Sequence, residues 1–226
     1  MTTTLFSEIQ RLFERTYASV GVNLEECLID RHRCGQLSAM AGAQAAELSM
    51  LARTFLRTAD GNLRVGIYYS NWLIEQLERH DPRAGVSDEN IGALIAFVEE
   101  INHALHAALR FQKGEAPVNN EAYARNLELQ AKVDTYLVLL VFVAFFRKPG
   151  PVTRADRKWI RFHLFESKHP GRGRNLRARY AETTLLAKRY TTFLESLAAT
   201  RRIEEIRIFH ALDYDAKRHR ILGGSP

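Results

Sequence analysis

The stretch from Val133 to Phe146 constrains this chain most, because it is apolar on every side apart from Asp134 and Thr135. A helix without a polar face has to be surrounded, by other helices or by lipid. Its uncharged part, Thr135 to Phe146, is 12 residues long, well short of the roughly 20 that a bilayer span needs. The sequence therefore predicts a core helix enclosed by further helices, and no membrane.

The remaining chain supplies those helices. Leu5, Ile9, Leu12, Phe13, Tyr17 and Val20 follow helical spacing up to Gly21. Asn23 with Glu26 opens a second helix at Leu24. Leu37, Ala41, Leu48, Leu51, Phe55 and Leu56 then carry an apolar stripe to Arg57, and Asp60-Gly61-Asn62 is a turn. Leu63 to Tyr69 alternates weakly; with no evident partner strand, it is expected to be an extended linker. Asn71 opens a short helix to His80. Ser87 opens another to about Gln112, and Asn119 or Asn120 the next. Thr153 with Asp156 fits a capping box. A long helix from about Asn175 to Thr200 and a last one around Ile203, Ile206 and Phe209 complete the chain. The expected fold is all-α, a single domain over 1–226 with seven or eight helices bundled around 133–146. A loop boundary is conceivable only at 148–152, around Lys148-Pro149-Gly150-Pro151, and 220–226 reads as a frayed tail.

The chain has 226 residues, ample for a self-sufficient core. Its two cysteines, Cys27 and Cys34, and a start without a basic or apolar leader predict a reducing, cytoplasmic setting. The formal charge is +6. The basic excess falls late, in Arg172, Arg174, Arg177, Arg179, Arg201, Arg202, Lys217, Arg218 and Arg220. Such a face suits an anionic partner, and is also what an ordinary solvated surface looks like. No Gly-rich phosphate loop follows a strand, which argues against that kind of nucleotide binding.

One helix stands out chemically. On the 87–112 helix, Ile91, Leu94, Ile95, Val98, Leu105 and Leu109 define the apolar face. Glu99, Asn102, His103 and His106 fall together on its flank, whereas Glu100 points toward solvent. Carboxylate and imidazole at i, i+4 and i+7 suit iron, manganese or zinc, provided facing helices complete the set. Glu128, His163 and Glu166 are the candidates to do so, with Glu26 and Glu47 as further donors. Asn102, Gln130 and Asp134 would orient the ligands. The same residues also read as ordinary structural polar pairs: Glu99 with His103, and Glu128 with Lys132.

Glu100-Ile-Asn-His103 carries the Glu-x-x-His spacing of the ferritin-like di-iron carboxylate proteins, and Glu99 with His106 the wider spacing of the haem-oxygenase-like group. The chain resembles these families over those short motifs only, and Ser167 stands where the later motif of the second group has an aspartate. The resemblance implies a buried metal pair held by Glu and His from several helices, and possible oxidoreductase activity. Two functions thus stand as expectations. One is a non-haem, di-iron-carboxylate-like metal protein. The other is a non-catalytic adaptor or regulatory module that binds a protein, a second copy of itself or nucleic acid through Arg172, Arg174, Arg177 and Arg179.

Overall fold

The computed structural model describes residues 3–41, 51–115, 121–147, 151–167 and 181–223. Helices dominate: α1 (Leu5–Thr16), α2 (Arg31–Ala41), α3 (Asn71–Arg79), α4 (Ile91–Gln112), α5 (Glu121–Phe142), α6 (Arg154–Arg161), α7 (Ala181–Ser196), α8 (Ala199–Ala211) and α9 (Tyr214–Leu222). A 3-10 turn covers Leu24–Cys27, and π-helical turns extend α5 over Val143–Arg147 and α6 over Phe162–Glu166.

The fold is not all-α. Strands β1 (Ala52–Ala59) and β2 (Asn62–Tyr69) form an antiparallel hairpin in which Ala52 pairs with Tyr69 and Ala59 with Asn62. The expected helical stripe through Phe55 and Leu56 and the expected linker at 63–69 are both replaced by it. The cause is the turn: Asp60 (φ 53°) and Gly61 (φ 72°) both take the left-handed conformation. An Asp-Gly pair of this kind makes a two-residue hairpin turn whose twist matches its strands. It brings Arg57 opposite Arg64 and Phe55 opposite Gly66, so the weakly alternating segment finds its partner immediately upstream.

Helices α4 and α5 lie side by side at the centre, with α1, α3 and the hairpin against α4 and α6, α7 and α9 against α5. Leu94, Val98, Ile101, Leu105, Val133 and Leu139 are wholly buried. Each such side chain contributes about 1.5–3 kcal/mol by leaving water. A second apolar cluster, with Leu186, Tyr190, Leu194, Ile206 and Phe209, fastens α7, α8 and α9 to the other side of α5. The central helix is thus enclosed as its composition requires, but only as far as Val143. Phe145 then emerges at 73% exposure and Phe146 at 39%.

The start of α6 shows the expected capping box. Thr153 Oγ1 accepts the Asp156 amide at 3.2 Å, and an Asp156 carboxylate oxygen accepts the Thr153 amide at 2.9 Å. Thr153→Ala should therefore lower the stability by about 1 kcal/mol, read as a shift in the urea midpoint with an unchanged slope.

Candidate functional site

The polar flank of α4 faces a polar stripe of α5, and most of the predicted site residues meet there. Asn102, His106, Gln130 and Asp134 are at most 2% exposed. Asp134 is the hub. It accepts Tyr17 Oη at 2.5 Å, Asn102 Nδ2 at 2.7 Å, His106 Nε2 at 2.8 Å and Gln130 Nε2 at 3.1 Å. A carboxylate only accepts, so four donors nearly fill its capacity. Asp134 holds His106, and Asn102 and Gln130 in turn donate to Asp134.

The C-terminal helices close this centre. Lys217 of α9 is 1% exposed; its ammonium donates to Asn126 Oδ1 at 2.6 Å and Gln130 Oε1 at 2.7 Å. His210 of α8 lies against His106, with ring centroids 4.5 Å apart, and against Tyr17 at 4.7 Å. Arg110 donates to the Leu212 carbonyl at 2.5 Å. Burial lowers the pKa of His106, with Asp134 pulling the other way. Burial also pushes His210 down to about 2, helped by the charges of Lys217, Lys113 and Arg110. Lys217 is lowered well below the usual lysine value, again chiefly by burial. Both imidazoles are therefore neutral at pH 7.

One turn away lies a second cluster with the opposite electrostatics. His103 Nδ1 is 3.4 Å from Glu100 Oε2 and His103 Nε2 is 3.5 Å from Glu128 Oε2. Desolvation lowers its pKa, but the hydrogen bonds and charges of Glu100 and Glu128 outweigh it and raise the value to about 10. His103 is an imidazolium at neutral pH. Glu100, expected toward solvent, turns back onto this histidine and keeps a side-chain exposure of only 15%.

The buried ammonium of Lys132 stands beside these carboxylates, 3.0 Å from Glu128 Oε1 and 3.6 Å from Glu99 Oε1. Two fixed cations, Lys132 and His103, thus neutralise the acids that the sequence nominates as metal ligands. Zinc-ligand distances are about 2.0–2.2 Å, so the carboxylates would have to close in on an ion. Among the described residues, no group of three or more His, Cys, Asp or Glu is placed to hold a metal.

Two of the nominated ligands lie elsewhere. His163 Nε2 is 3.0 Å from Asp88 Oδ1, which also accepts Trp159 Nε1 at 2.8 Å. Asp88 precedes the start of α4, and His103 is about 18 Å farther along that helix by its rise per residue. Glu166 is half-exposed and pairs with Lys188 at 2.5 Å. Neither completes the α4–α5 seam. Glu26 is in the 3-10 turn. Glu47, His169, Arg172, Arg174, Arg177 and Arg179 lie outside the described residues.

Tyr17, Lys217 and His210 were not foreseen as members of the centre. A lysine in a basic C-terminal helix carries no sequence mark of burial. Of the late basic residues, Arg218 pairs with Glu182 at 2.8 Å and Arg220 with Glu205 at 2.6 Å. Arg202 donates to the Leu194 and Leu197 carbonyls. These cations serve the fold.

The densest run of charge begins upstream of these helices. Residues 147–179 hold eleven Lys and Arg against Asp156 and Glu166, a net +9 in a chain whose total is +6. Arg154 and Lys158 are exposed there on α6. Beside them Phe162 is 51% exposed, and Phe145 and Phe146 end α5. Both pieces flank the loop before α4: Gly85 faces the Phe146 carbonyl, and Asp88 holds Trp159 and His163.

Compared with known proteins, the chain matches no family model, no curated protein and no solved structure. The fold and the two clusters define a mainly helical protein with a hairpin and a buried polar seam, in which Asn102 Oδ1, His106 Nδ1 and His210 Nδ1 are left without a hydrogen-bond partner among the described residues.

Proposed function

We propose that this chain is a non-catalytic helical docking module that recognises a surface of closely spaced phosphates through the end formed by α6 and the tip of α5. The observation that carries this is the +9 concentrated in residues 147–179 while the rest of the chain is net acidic. Clustered cations release counterions when they meet clustered phosphates, which gives affinity without a shaped pocket. The seam supports the same conclusion from the other side. The donors that converge on Asp134 and the carboxylates around Lys132 find partners within this chain, and the acceptors left over beside them, Asn102 Oδ1, His106 Nδ1 and His210 Nδ1, are closed off from solvent.

The test is retention of the intact protein on phosphocellulose. Replacing Arg154, Lys158, Arg172, Arg174, Arg177 and Arg179 with serine should abolish retention, and wild-type retention should fall steeply with salt. A control in which the exposed Arg11, Arg15, Arg31, Arg33, Arg57 and Arg64 become serine removes the same six charges and should keep most of it. Equal losses in the two variants would reduce the effect to net charge and sink the proposal.

The second reading is a metal protein, with iron, manganese or zinc at the outer edge of the seam. The specific observation in its favour is that Glu100, His103 and Glu128 keep side-chain exposures of 15%, 18% and 12%, so an ion could reach them. His103 would first have to lose its proton. Metal analysis of protein purified without an affinity tag decides the matter. About one equivalent, lost in His103→Ala, supports this reading; metal-free protein that takes up no added zinc, manganese or ferrous iron rules it out.

A further inference from the structure

We infer that the phosphates this end meets are the headgroups of an anionic lipid bilayer, and that Phe145, Phe146 and Phe162 enter the headgroup layer. The inference rests on the docking function above and goes beyond it by naming the partner. Its starting point is that α5, extended to Phe146, is the one helix among the described residues long and apolar enough to cross a membrane, yet 67% of its apolar window is buried inside the protein. The helix therefore does not span. Its uncovered part is the tip, where Phe145 is 73% exposed.

The tip is tied to the core through Phe146. The Phe146 ring lies 5.3 Å from that of Phe142, which is buried at 4% exposure. On α6, Ile160 and Leu164 are buried on either side of Phe162 in sequence. The ring of Phe162 stands 5.2 Å from that of His163, which is held in turn by Asp88. The tip of α5 and the Phe162 turn thus both border the loop before α4, and the exposed Arg154 and Lys158 stand on the same helix as Phe162. Exposed apolar rings that continue a buried apolar helix, with cations on the neighbouring helix, match the arrangement by which proteins lie on anionic membranes. Insertion and charge then act together: the rings enter at the level of the headgroups while the cations remain among the phosphates.

Sedimentation of the intact chain with vesicles tests this. It should pellet with vesicles of phosphatidylcholine containing about 30% phosphatidylglycerol and remain in solution with phosphatidylcholine alone. A variant with Phe145, Phe146 and Phe162 all changed to serine should lose at least about tenfold in partitioning, while its far-UV circular dichroism and its retention on phosphocellulose stay as in the wild type. In Phe145→Trp, the emission of the added tryptophan should shift to the blue on vesicle addition and be quenched by lipids brominated near the headgroup. Wild-type partitioning by the triple serine variant, or unchanged emission from the tryptophan introduced by Phe145→Trp, overturns the insertion. Retention on phosphocellulose without sedimentation on vesicles overturns the lipid assignment and leaves the docking function standing, with nucleic acid as its partner. Failure on both matrices removes the two together.

Discussion

Asp134→Ala is expected to lower the stability of this protein by about 3–5 kcal/mol, the range typical of breaking a buried charge network from one side. The substitution removes a small side chain, so the cost is not mainly lost packing. It comes from Tyr17, Asn102, His106 and Gln130, whose donors all end on that one carboxylate. Buried donors without an acceptor forfeit their hydration for nothing in return. Lys217 feels the change as well, since the Asp134 charge favours its ammonium. Urea denaturation followed by circular dichroism gives the number directly. Tyr17→Phe removes a single donor to the same charge and should cost about 1.5–3 kcal/mol. A loss below about 1 kcal/mol for Asp134→Ala would mean that water reaches the seam and that the centre does not organise the fold.

The second large effect is on the acid side of neutrality. His210 has a pKa of about 2 in the folded chain, against about 6.5 when unfolded. Below pH 6.5 the unfolded chain therefore takes up a proton that the folded chain refuses. Stability is lost as the pH falls, by up to about 1.4 kcal/mol per pH unit for each such group. For His210 alone this amounts to on the order of 2 kcal/mol between pH 7 and pH 5. His106, also lowered by burial, acts in the same direction. His103 has the opposite sign: raised to about 10, it contributes stability below pH 6.5 that is lost as the pH climbs through about 10. The expected profile is a stability maximum between these limits with an early acid limb. In His210→Phe the ring contacts to His106 and Tyr17 are kept and the titrating nitrogens removed, so the slope between pH 7 and pH 5 should flatten by roughly half. An unchanged slope would show that His210 is hydrated in the native state. Because α8 and α9 carry His210 and Lys217, acid should loosen these helices before the α4–α5 pair, visible as early loss of amide protection in 199–222.

The seam was partly legible in the sequence. The 3.6-residue period places Glu99, Asn102, His103 and His106 on one flank of α4 whatever surrounds it, and does the same for Gln130 and Asp134 on α5. What those flanks bind was not legible. Lys132 read as the helix partner of Glu128, and that pairing is present at 3.0 Å. Its approach to Glu99 across the helix interface, which supplies positive charge where a metal was expected, depends on how α4 and α5 are juxtaposed. The hairpin was missed for a local reason. Leu51, Phe55 and Leu56 fit helical spacing, and the Asp60-Gly61 turn that overrides it acts by pairing two segments, which neither segment reveals alone.

By itself the sequence determined the buried central helix, the polar flank of α4 and the capping box at Thr153. These are consequences of composition and of a repeat that each residue shares with its neighbours a few positions away. Only the tertiary structure decided that Asp134 would be the hub, that Tyr17, His210 and Lys217 would close over it, and that Phe145 would leave the core. A buried charge is tolerated only where enough partners converge on it. Here they come from chain segments up to 117 residues away in sequence, a distance over which periodicity carries no information and packing alone chooses the partner.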